Sequence, residues 1–199
     1  MFNILDEVCT PKRGTKYSAY VDLFAREDIT IGAGETKIVK LGVKLDLDSL
    51  YRSWYFYTEQ NNISGSWEMF LKSHYLEIAL RSSLGVKGLI IANGIGIIDL
   101  DYPDEIGLIV HNPININKGF YTTVEYSTEL HIRTDFKDKT SFKISKGDKV
   151  AQCTLKEHKG YLMGYESDVV RAGGFGSTDN KVEAPIFDKP DFFRCNELN

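Results

Sequence analysis

The sequence predicts an all-β fold in which short antiparallel strands form a sandwich or a barrel. Apolar and polar residues alternate in several stretches, as they do in a strand that has one buried face. Clusters of Gly, Asn, Asp and Pro separate these stretches, which is typical of turns between antiparallel strands. Helical patterns are scarce, and we expect only one short helix.

Four stretches supply the expected strands. The alternation is clearest at residues 39–47, where every second residue is apolar. It returns at residues 106–110 and again at residues 124–132. Residues 149–155 form a further, less regular candidate. Each of these stretches predicts a half-buried strand.

The short helix is expected within residues 81–89, with Ser82 as its candidate N-cap. An aromatic-rich segment at residues 51–72 fits either a hairpin or a helix. Packing of its rings against the sheet is the favoured interpretation, and an interaction surface is the alternative.

The composition is that of a globular protein, with 199 residues of which 42% are hydrophobic and 26% charged. That length suits one domain or two small ones. The 24 basic and 28 acidic residues give a net charge of −4, which disfavours a sequence-independent nucleic-acid binder. No apolar run approaches the ~20 residues of a membrane span, and the N-terminus lacks a signal pattern.

The cysteines, Cys9, Cys153 and Cys195, are few and widely spaced. This usage is typical of reduced thiols and not of a disulfide framework or a zinc site. We therefore expect a cytoplasmic protein, or one of the host cytoplasm if a phage encodes it.

A first polar segment joins Arg81, Ser82 and Ser83 at the expected helix start. A guanidinium, two hydroxyls and N-terminal amides together suit a tetrahedral oxyanion such as phosphate. A solvated helix start explains the same triplet, so both interpretations stay open on these residues alone.

A second segment, residues 93–102, leads from apolar and glycine residues into Asp99 and Asp101. On a strand, these two carboxylates would point to the same side. One of them can act as general base for a water molecule, and the two together can attract a divalent cation. A strand that ends in an Asp-capped turn explains the same residues without any chemistry.

A third segment, residues 171–178, groups three glycines around Phe175. This pattern is typical of a flexible flap whose amides can wrap a polyphosphate and whose ring can stack on a flat ligand. Arg171, Ser177 and Thr178 stand close by, which favours a function over a plain linker.

Taken in chain order, these segments resemble the sequence motifs of the trimeric dUTPase family. The five motifs match residues 18–25, 81–85, 96–107, 146–152 and 173–178. The third motif, Gly-Ile-Ile-Asp-Leu-Asp-Tyr at residues 96–102, matches most closely. One motif would be modest evidence, whereas five in the right order are strong evidence for the resemblance.

The resemblance implies a jelly-roll-like β-clip barrel that assembles as a homotrimer, with active sites that borrow residues from three subunits. It also implies hydrolysis of dUTP to dUMP and pyrophosphate, assisted by Mg²⁺. Asp99 would then activate the water that attacks the α-phosphorus, and Asp22 would lie near the waters of the bound Mg²⁺.

The same resemblance assigns the substrate contacts. Tyr102 would pack under the deoxyribose and reject a 2′-hydroxyl, while the hairpin that carries Asn93 and Gly96 would read uracil. Phe175 would close over the uracil ring. The expected contacts in full are Arg81, Ser82, Ser83, Asn93, Gly96, Ile98, Tyr102, Gln152, Arg171, Phe175, Gly176, Ser177 and Thr178.

The chain departs from the family pattern at four positions. Tyr20 stands where the first motif usually has Gly, and Leu80 stands where the second usually begins with Pro. Asp104 replaces a usual Gly after the third motif. Arg171 lies one residue closer to Phe175 than in the usual family pattern, so the question of whether Arg171 contacts a phosphate stays open.

We expect a dUTPase-like barrel over residues 1–178 and a C-terminal tail over residues 179–199. Residues 50–73 and 113–145 are longer than the usual connections and are expected to be insertions, with β-hairpins as one form they could take. Insertions of this kind suggest a bacteriophage or viral version of the enzyme.

Two other functions stay open. A dCTP deaminase has a related barrel and an Arg-Ser-Ser motif, but its catalytic glutamate falls where this chain has Ile109, which disfavours deamination. The second alternative is a protein that engages a regulatory partner, such as a transcriptional repressor, through its insertions, instead of catalysis or in addition to it.

Overall fold

The computed structural model describes residues 1–61, 66–114, 140–164 and 173–174. Its helices are α1 (Leu47–Gln60), α2 (Trp67–Ser73) and α3 (Ser82–Gly85), and 3₁₀ turns lie at Glu7–Cys9 and Gly160–Met163. Its strands are β1 (Phe2–Ile4), β2 (Lys12–Arg13), β3 (Val21–Phe24), β4 (Ile29–Ile31), β5 (Thr36–Lys40), β6 (Val43–Leu45), β7 (His74–Leu80), β8 (Ile90–Ile91), β9 (Gly96–Asp99), β10 (Gly107–His111), β11 (Phe142–Ile144) and β12 (Lys149–Glu157).

The largest sheet has five strands in the order β2-β3-β12-β7-β9. Its central strand, β12, pairs antiparallel with β3 on one side and with β7 on the other. A three-stranded sheet, β5-β10-β8, and the pairs β1-β6 and β11-β4 complete the described strands, and all of these pairings are antiparallel. The prediction of an all-β antiparallel fold is confirmed.

The main core lies between these sheets and is built by the alternation of side chains along each strand. Leu76 and Ile78 of β7 are buried, and Cys153 of β12 is buried opposite Ile78. Leu108 and Val110 of β10 pack into the same cluster. Each large aliphatic side chain buried in this way stabilises the fold by about 1.5–3 kcal/mol.

Leu47–Gln60 and Trp67–Ser73 form two helices, not the β-hairpin that was one expected form for this segment. Each helix begins at a capped residue: Asp46 accepts a hydrogen bond from the backbone N–H of Ser49 (3.1 Å), and Ser66 accepts one from that of Met69 (3.2 Å). The helices meet through an aromatic cluster of Tyr51, Trp54, Trp67, Phe70 and His74. The described residues therefore contain more helices than the single short one that we expected.

The predicted strand at residues 39–47 is broken at Gly42, which separates β5 from β6. Gly42 has a φ of +63°, a conformation that L-residues with side chains rarely adopt. A Cβ atom there would also lie 2.7 Å from the Cβ of buried Cys9. Both observations explain why a glycine interrupts the alternation at this point.

The strands predicted at residues 106–110 and 149–155 are confirmed as β10 and part of β12. The strand predicted at residues 124–132 lies outside the described residues. The cap prediction was wrong: Ser82 is the first residue of α3, and Arg81 holds the N-cap position without a side-chain bond to the helix.

None of the helices in the described ranges is long and apolar enough to cross a membrane. Cys9 and Cys153 are free thiols and both are buried. Burial raises the pKa of the Cys153 thiol to about 12, which keeps it protonated and unreactive. Cys195 lies outside the described residues.

Candidate active site

A cavity of about 190 Å³ opens beside the edge strand of the large sheet, β9. It brings together four of the predicted substrate contacts, Asn93, Gly96, Ile98 and Tyr102. The remaining lining residues, which were not expected as contacts, are Ile78, Ile91, Ile97, Gly107, Leu108, Ile109 and Gly174. The cavity is thus mostly apolar, with one amide side chain and one phenol at its wall.

Tyr102 is fixed in this wall by the loop that follows it. Its ring is buried, and its hydroxyl donates to the backbone carbonyl of Glu105 (3.1 Å). The Glu105 carboxylate in turn accepts hydrogen bonds from the Gly42 N–H (2.9 Å) and from Arg26 (2.8 Å). The phenol therefore presents a preorganised surface to any ligand in the cavity.

Gly174, from the fifth motif, lies directly against the Tyr102 ring. A methyl group on Gly174 would overlap carbon atoms of that ring, so only glycine permits this approach. The other fifth-motif residues that we expected in the site lie outside the described residues; they are Arg171, Phe175, Gly176, Ser177 and Thr178.

A charged cluster of Asp22, Arg81 and Lys149 forms at the end of β7 where Arg81 follows the strand. Asp22 is only 3% exposed on β3, and its carboxylate pairs with the Arg81 guanidinium and with Lys149 Nζ (3.2 Å). Gln152 lies opposite Asp22 in the β3–β12 register. Residues from the first, second and fourth motifs thus meet here. Lys149 was missed, although it stands inside the fourth motif.

Ser82 and Ser83 are exposed at the start of α3, next to this cluster. The Arg81 N–H donates to the Val150 carbonyl (3.1 Å), which ties the beginning of α3 to β12. The two hydroxyls therefore follow Arg81 directly in the chain and face solvent, and no side-chain cap bond is formed at this helix start. This arrangement can receive an anion.

Asp99 is the last residue of β9 and is exposed. It lies opposite Tyr75 in the β7–β9 register, at the other end of β7 from Arg81. Six residues of strand separate Tyr75 from Arg81, which corresponds to about 20 Å. Asp101 lies in the turn that follows β9, as in the alternative of a strand that ends in a turn, so the two carboxylates do not both lie on one strand.

Between these two ends, Glu77 is buried on the face of β7 that points away from the core. Tyr20 donates a hydrogen bond to its Oε1, and Tyr75 donates one to its Oε2 (3.1 Å). The bond from Tyr20 lowers the pKa of Glu77 although desolvation opposes it, and the same bond raises the pKa of Tyr20 to about 12. Glu77 and Tyr75 gave no signal in the sequence, because they fit ordinary strand alternation.

The described part of the chain contains no group of three His, Cys, Asp or Glu side chains that could hold a metal ion. Within it, the Asp22 carboxylate has one oxygen, Oδ2, that is buried without a hydrogen bond of good geometry. A lone buried carboxylate oxygen can accept a bond from a metal-bound water but cannot enclose an ion. A direct protein-only metal centre is therefore not formed by these residues.

The chain matches no protein-family profile. The deoxyuridine 5′-triphosphate nucleotidohydrolase of Rickettsia felis is 29% identical over 175 residues, which cover 84% of this chain and 86% of that protein. The variola virus enzyme of the same name is 29% identical over 143 residues, 72% of this chain and 64% of that protein.

Among solved structures, the dUTPase of S. aureus phage phi11 superposes with a TM-score of 0.54 at 19% identity, over 89% of this chain and 97% of that chain. A variant of this phage enzyme is described with a coordinated structural Mg(II) ion. The superposition shows that the two proteins share a fold.

Proposed function

We propose that this chain is a dUTPase-family enzyme that hydrolyses dUTP to dUMP and pyrophosphate by attack of water on the α-phosphorus. The observation that carries this proposal is the pairing of an apolar, Tyr102-walled cavity with a charged cluster built from three of the motifs. The cavity suits a flat base and its sugar, and the cluster suits a triphosphate.

In the proposed reaction, Asp99 accepts a proton from the attacking water. The water oxygen forms a bond to the α-phosphorus as the bond from that phosphorus to the bridging oxygen breaks, and pyrophosphate leaves with the bond electrons. Arg81, Ser82 and Gln152 would hold phosphate oxygens and restrain the triphosphate for this attack. The phenol of Tyr102 would bound the sugar.

Mg²⁺ fits the residues that are present. It prefers oxygen ligands, keeps several of its waters and is commonly held by substrate phosphates with one or two carboxylates. Asp22 would hold it through a water at Oδ2, the buried oxygen that has no well-aligned hydrogen bond. When bound, the ion would neutralise charge on the departing pyrophosphate.

Asp99 and Arg81 cannot contact the same phosphate group within one chain, because about 20 Å of β7 separates their positions. Opposite ends of the strand would therefore serve two different active sites. We propose a homotrimer in which Asp99 of one copy meets the charged cluster of a neighbour.

Pyrophosphate release from dUTP and from each of the four common deoxynucleoside triphosphates, with and without Mg²⁺, tests the reaction. We expect release from dUTP alone and a strong dependence on Mg²⁺. Equal release from dTTP or dCTP would contradict the uracil assignment, and no release from any nucleotide would contradict hydrolysis.

Mixed oligomers test the shared site. Asp99→Asn and Arg81→Gln chains would be co-expressed, with each variant alone as the control and circular dichroism as the check on folding. If each site needs Asp99 and Arg81 from different copies, random mixing should restore about a quarter of the wild-type activity. A mixture no more active than its parents would show that both groups act within one chain.

Deamination of dCTP is the alternative reaction. Ile109, at the position of the deaminase glutamate, lies half-buried on β10 and carries no group that can transfer a proton. We therefore expect no ammonia from dCTP in the same assays. If ammonia were released from dCTP as fast as pyrophosphate is released from dUTP, deamination would become the favoured reaction.

Contact with a regulatory protein is a second candidate function, and the observation that favours it is the exposed aromatic surface of α1. Phe56 and Tyr57 are each 63% exposed, and neither lines the substrate cavity. Serine at both positions should leave dUTP hydrolysis unchanged and should abolish partner capture. Loss of hydrolysis in that double variant would show that the surface serves the enzyme instead.

A further inference from the structure

We propose that Tyr20, Glu77 and Tyr75 form a hydrogen-bonded brace, here called the Glu77 brace, that positions Asp22 and Asp99 for the reaction. The inference rests on the proposed dUTP hydrolysis and adds three residues that the family motifs do not assign. None of the three is expected to touch the nucleotide, so they are positioning residues and not catalytic ones.

The brace is fully hydrogen-bonded although it is buried. Glu77 is 8% exposed, yet each of its carboxylate oxygens accepts a bond from one phenol, that of Tyr20 or that of Tyr75. A buried carboxylate costs several kcal/mol unless such bonds compensate for the lost water. The hydrogen bonds to the Glu77 carboxylate therefore fix the positions of both phenol groups.

The partners of Glu77 differ from those of two other buried or half-buried carboxylates, Asp22 and Glu105. Asp22 pairs with Arg81, and Glu105 pairs with Arg26. In the described ranges, the hydrogen bonds of Glu77 instead come from neutral phenols, while Lys156 acts on it only at a distance through its charge. Hydrogen bonds to a rigid ring fix direction as well as distance, which is the requirement for a positioning role.

Within one chain, the brace connects the two ends of β7, which serve two different active sites in the proposed trimer. Tyr20 directly precedes β3, two residues before Asp22, and Tyr75 lies opposite Asp99 across the β7–β9 pairing. Glu77 lies between them near the middle of β7. One carboxylate thus links the strand end that carries the expected base to the strand that carries the buried acid of the charged cluster.

The brace also accounts for a departure from the family pattern. The first motif usually has Gly where this chain has Tyr20, and a glycine offers no side chain to bond Glu77. The tyrosine and its acceptor therefore form a matched pair in this chain.

The protonation state of the brace is fixed near neutral pH. The hydrogen bonds from Tyr20 and Tyr75 lower the pKa of Glu77, while the same bond raises the pKa of Tyr20 to about 12. Glu77 is thus ionised and Tyr20 neutral throughout the range in which activity would be measured. Effects of brace variants then report geometry and not a change of charge.

The test uses Tyr20→Phe and Tyr75→Phe in the full chain, each of which removes one hydroxyl and keeps the ring. For Tyr75→Phe we expect kcat to fall about threefold to tenfold with KM for dUTP nearly unchanged, because the base is misplaced. For Tyr20→Phe we expect KM and the half-saturating Mg²⁺ concentration to rise about threefold to tenfold with kcat nearly unchanged.

Tyr55→Phe is the matched control, because Tyr55 also donates a hydrogen bond to a glutamate, Glu59, but on the exposed face of α1. It should leave kcat, KM and the Mg²⁺ requirement unchanged.

Opposite effects of the two variants on kcat and KM would support the brace. If both variants kept wild-type constants, or if both lost activity only in proportion to the folded fraction, the brace would be structural and the proposal would be wrong. A wild-type enzyme inactive on dUTP would overturn the proposed function itself, and unaffected variants of an active enzyme would overturn the brace alone.

Discussion

The charged cluster of Asp22, Arg81 and Lys149 and the aromatic cluster around Phe70 are assembled in opposite ways. Arg81 lies 59 residues from Asp22 in the sequence, so the charged cluster exists only when the large sheet is formed in register. The aromatic cluster draws all its rings from residues 51–74. The charged cluster therefore depends on the topology of the sheet, whereas the aromatic cluster depends on packing between neighbouring helices.

This difference separates stability from chemistry. The two helices contribute Leu50 and Phe70 to a small apolar cluster that Leu100 of the third motif completes, and none of these three residues lines the substrate cavity. The sheet, in contrast, holds Asp22, Gln152 and Asp99 by its register. Changes in the helical segment should therefore alter the free energy of unfolding, whereas changes in the sheet should alter the reaction.

Among substitutions in the large sheet, Asp99→Asn should have the largest effect on kcat. The amide keeps the shape of the carboxylate but cannot accept the proton of water, so kcat should fall about 10²- to 10⁴-fold while the nucleotide still binds. Asp104→Asn, an exposed carboxylate five residues along the chain, is the control and should stay within twofold of the wild type. A kcat for Asp99→Asn within a few-fold of wild type would remove Asp99 as the base.

Phe70→Ala is the corresponding test of the helical side. Phe70 is fully buried, so its truncation should destabilise the protein by about 3–5 kcal/mol in chemical denaturation. The kcat of the folded fraction should not change. Phe56→Ala, at a 63% exposed ring of the same segment, should cost little stability and serves as the control.

Gly174→Ala should affect binding without affecting the fold. The added methyl group would overlap the Tyr102 ring and hold the fifth motif away from the cavity wall. We expect KM for dUTP to rise about tenfold and the melting temperature to stay the same, since Gly174 has no side chain in the core. An unchanged KM would mean that the motif does not close against Tyr102 during turnover.

His74 should give the smallest effect, on the pH dependence of stability. Burial lowers the pKa of His74 below its ordinary value of 6.5; Glu157 opposes this shift and His158 adds to it. The unfolded chain therefore binds a proton that the folded chain resists, and the free energy of unfolding should fall as pH drops from about 7 towards 5. His74→Gln should flatten this dependence in thermal denaturation, and an equally steep dependence in that variant would contradict the assignment.

The sequence carried enough information for much of the sheet and part of the site. Alternation predicted β10 and β12 because the two faces of each strand differ in burial. The family resemblance assigned Asn93, Gly96 and Tyr102 to the same nucleotide, and these three residues line one cavity. Short stretches of sequence determine these features, so the local pattern is sufficient to predict them.

The features that the sequence did not predict depend on long-range contacts or on residues that fit two kinds of secondary structure about equally well. Aromatic residues favour strands about as readily as helices, so residues 47–73 stayed ambiguous until the caps at Asp46 and Ser66 were seen. The pairing of Lys149 with Asp22 crosses 127 residues and follows only from the β3–β12 register. Glu77 gave no signal, since a carboxylate on the polar side of a strand is ordinary.

The length of β7 has a consequence for how such chains can diverge. One added residue between Tyr75 and Arg81 would turn every later side chain to the opposite face and lengthen the strand by about 3.3 Å. Either change would separate the two ends of the strand from their partners. Evolutionary insertions and deletions should therefore accumulate in the helical segment before residue 74, while the spacing from residue 75 to residue 81 stays free of gaps.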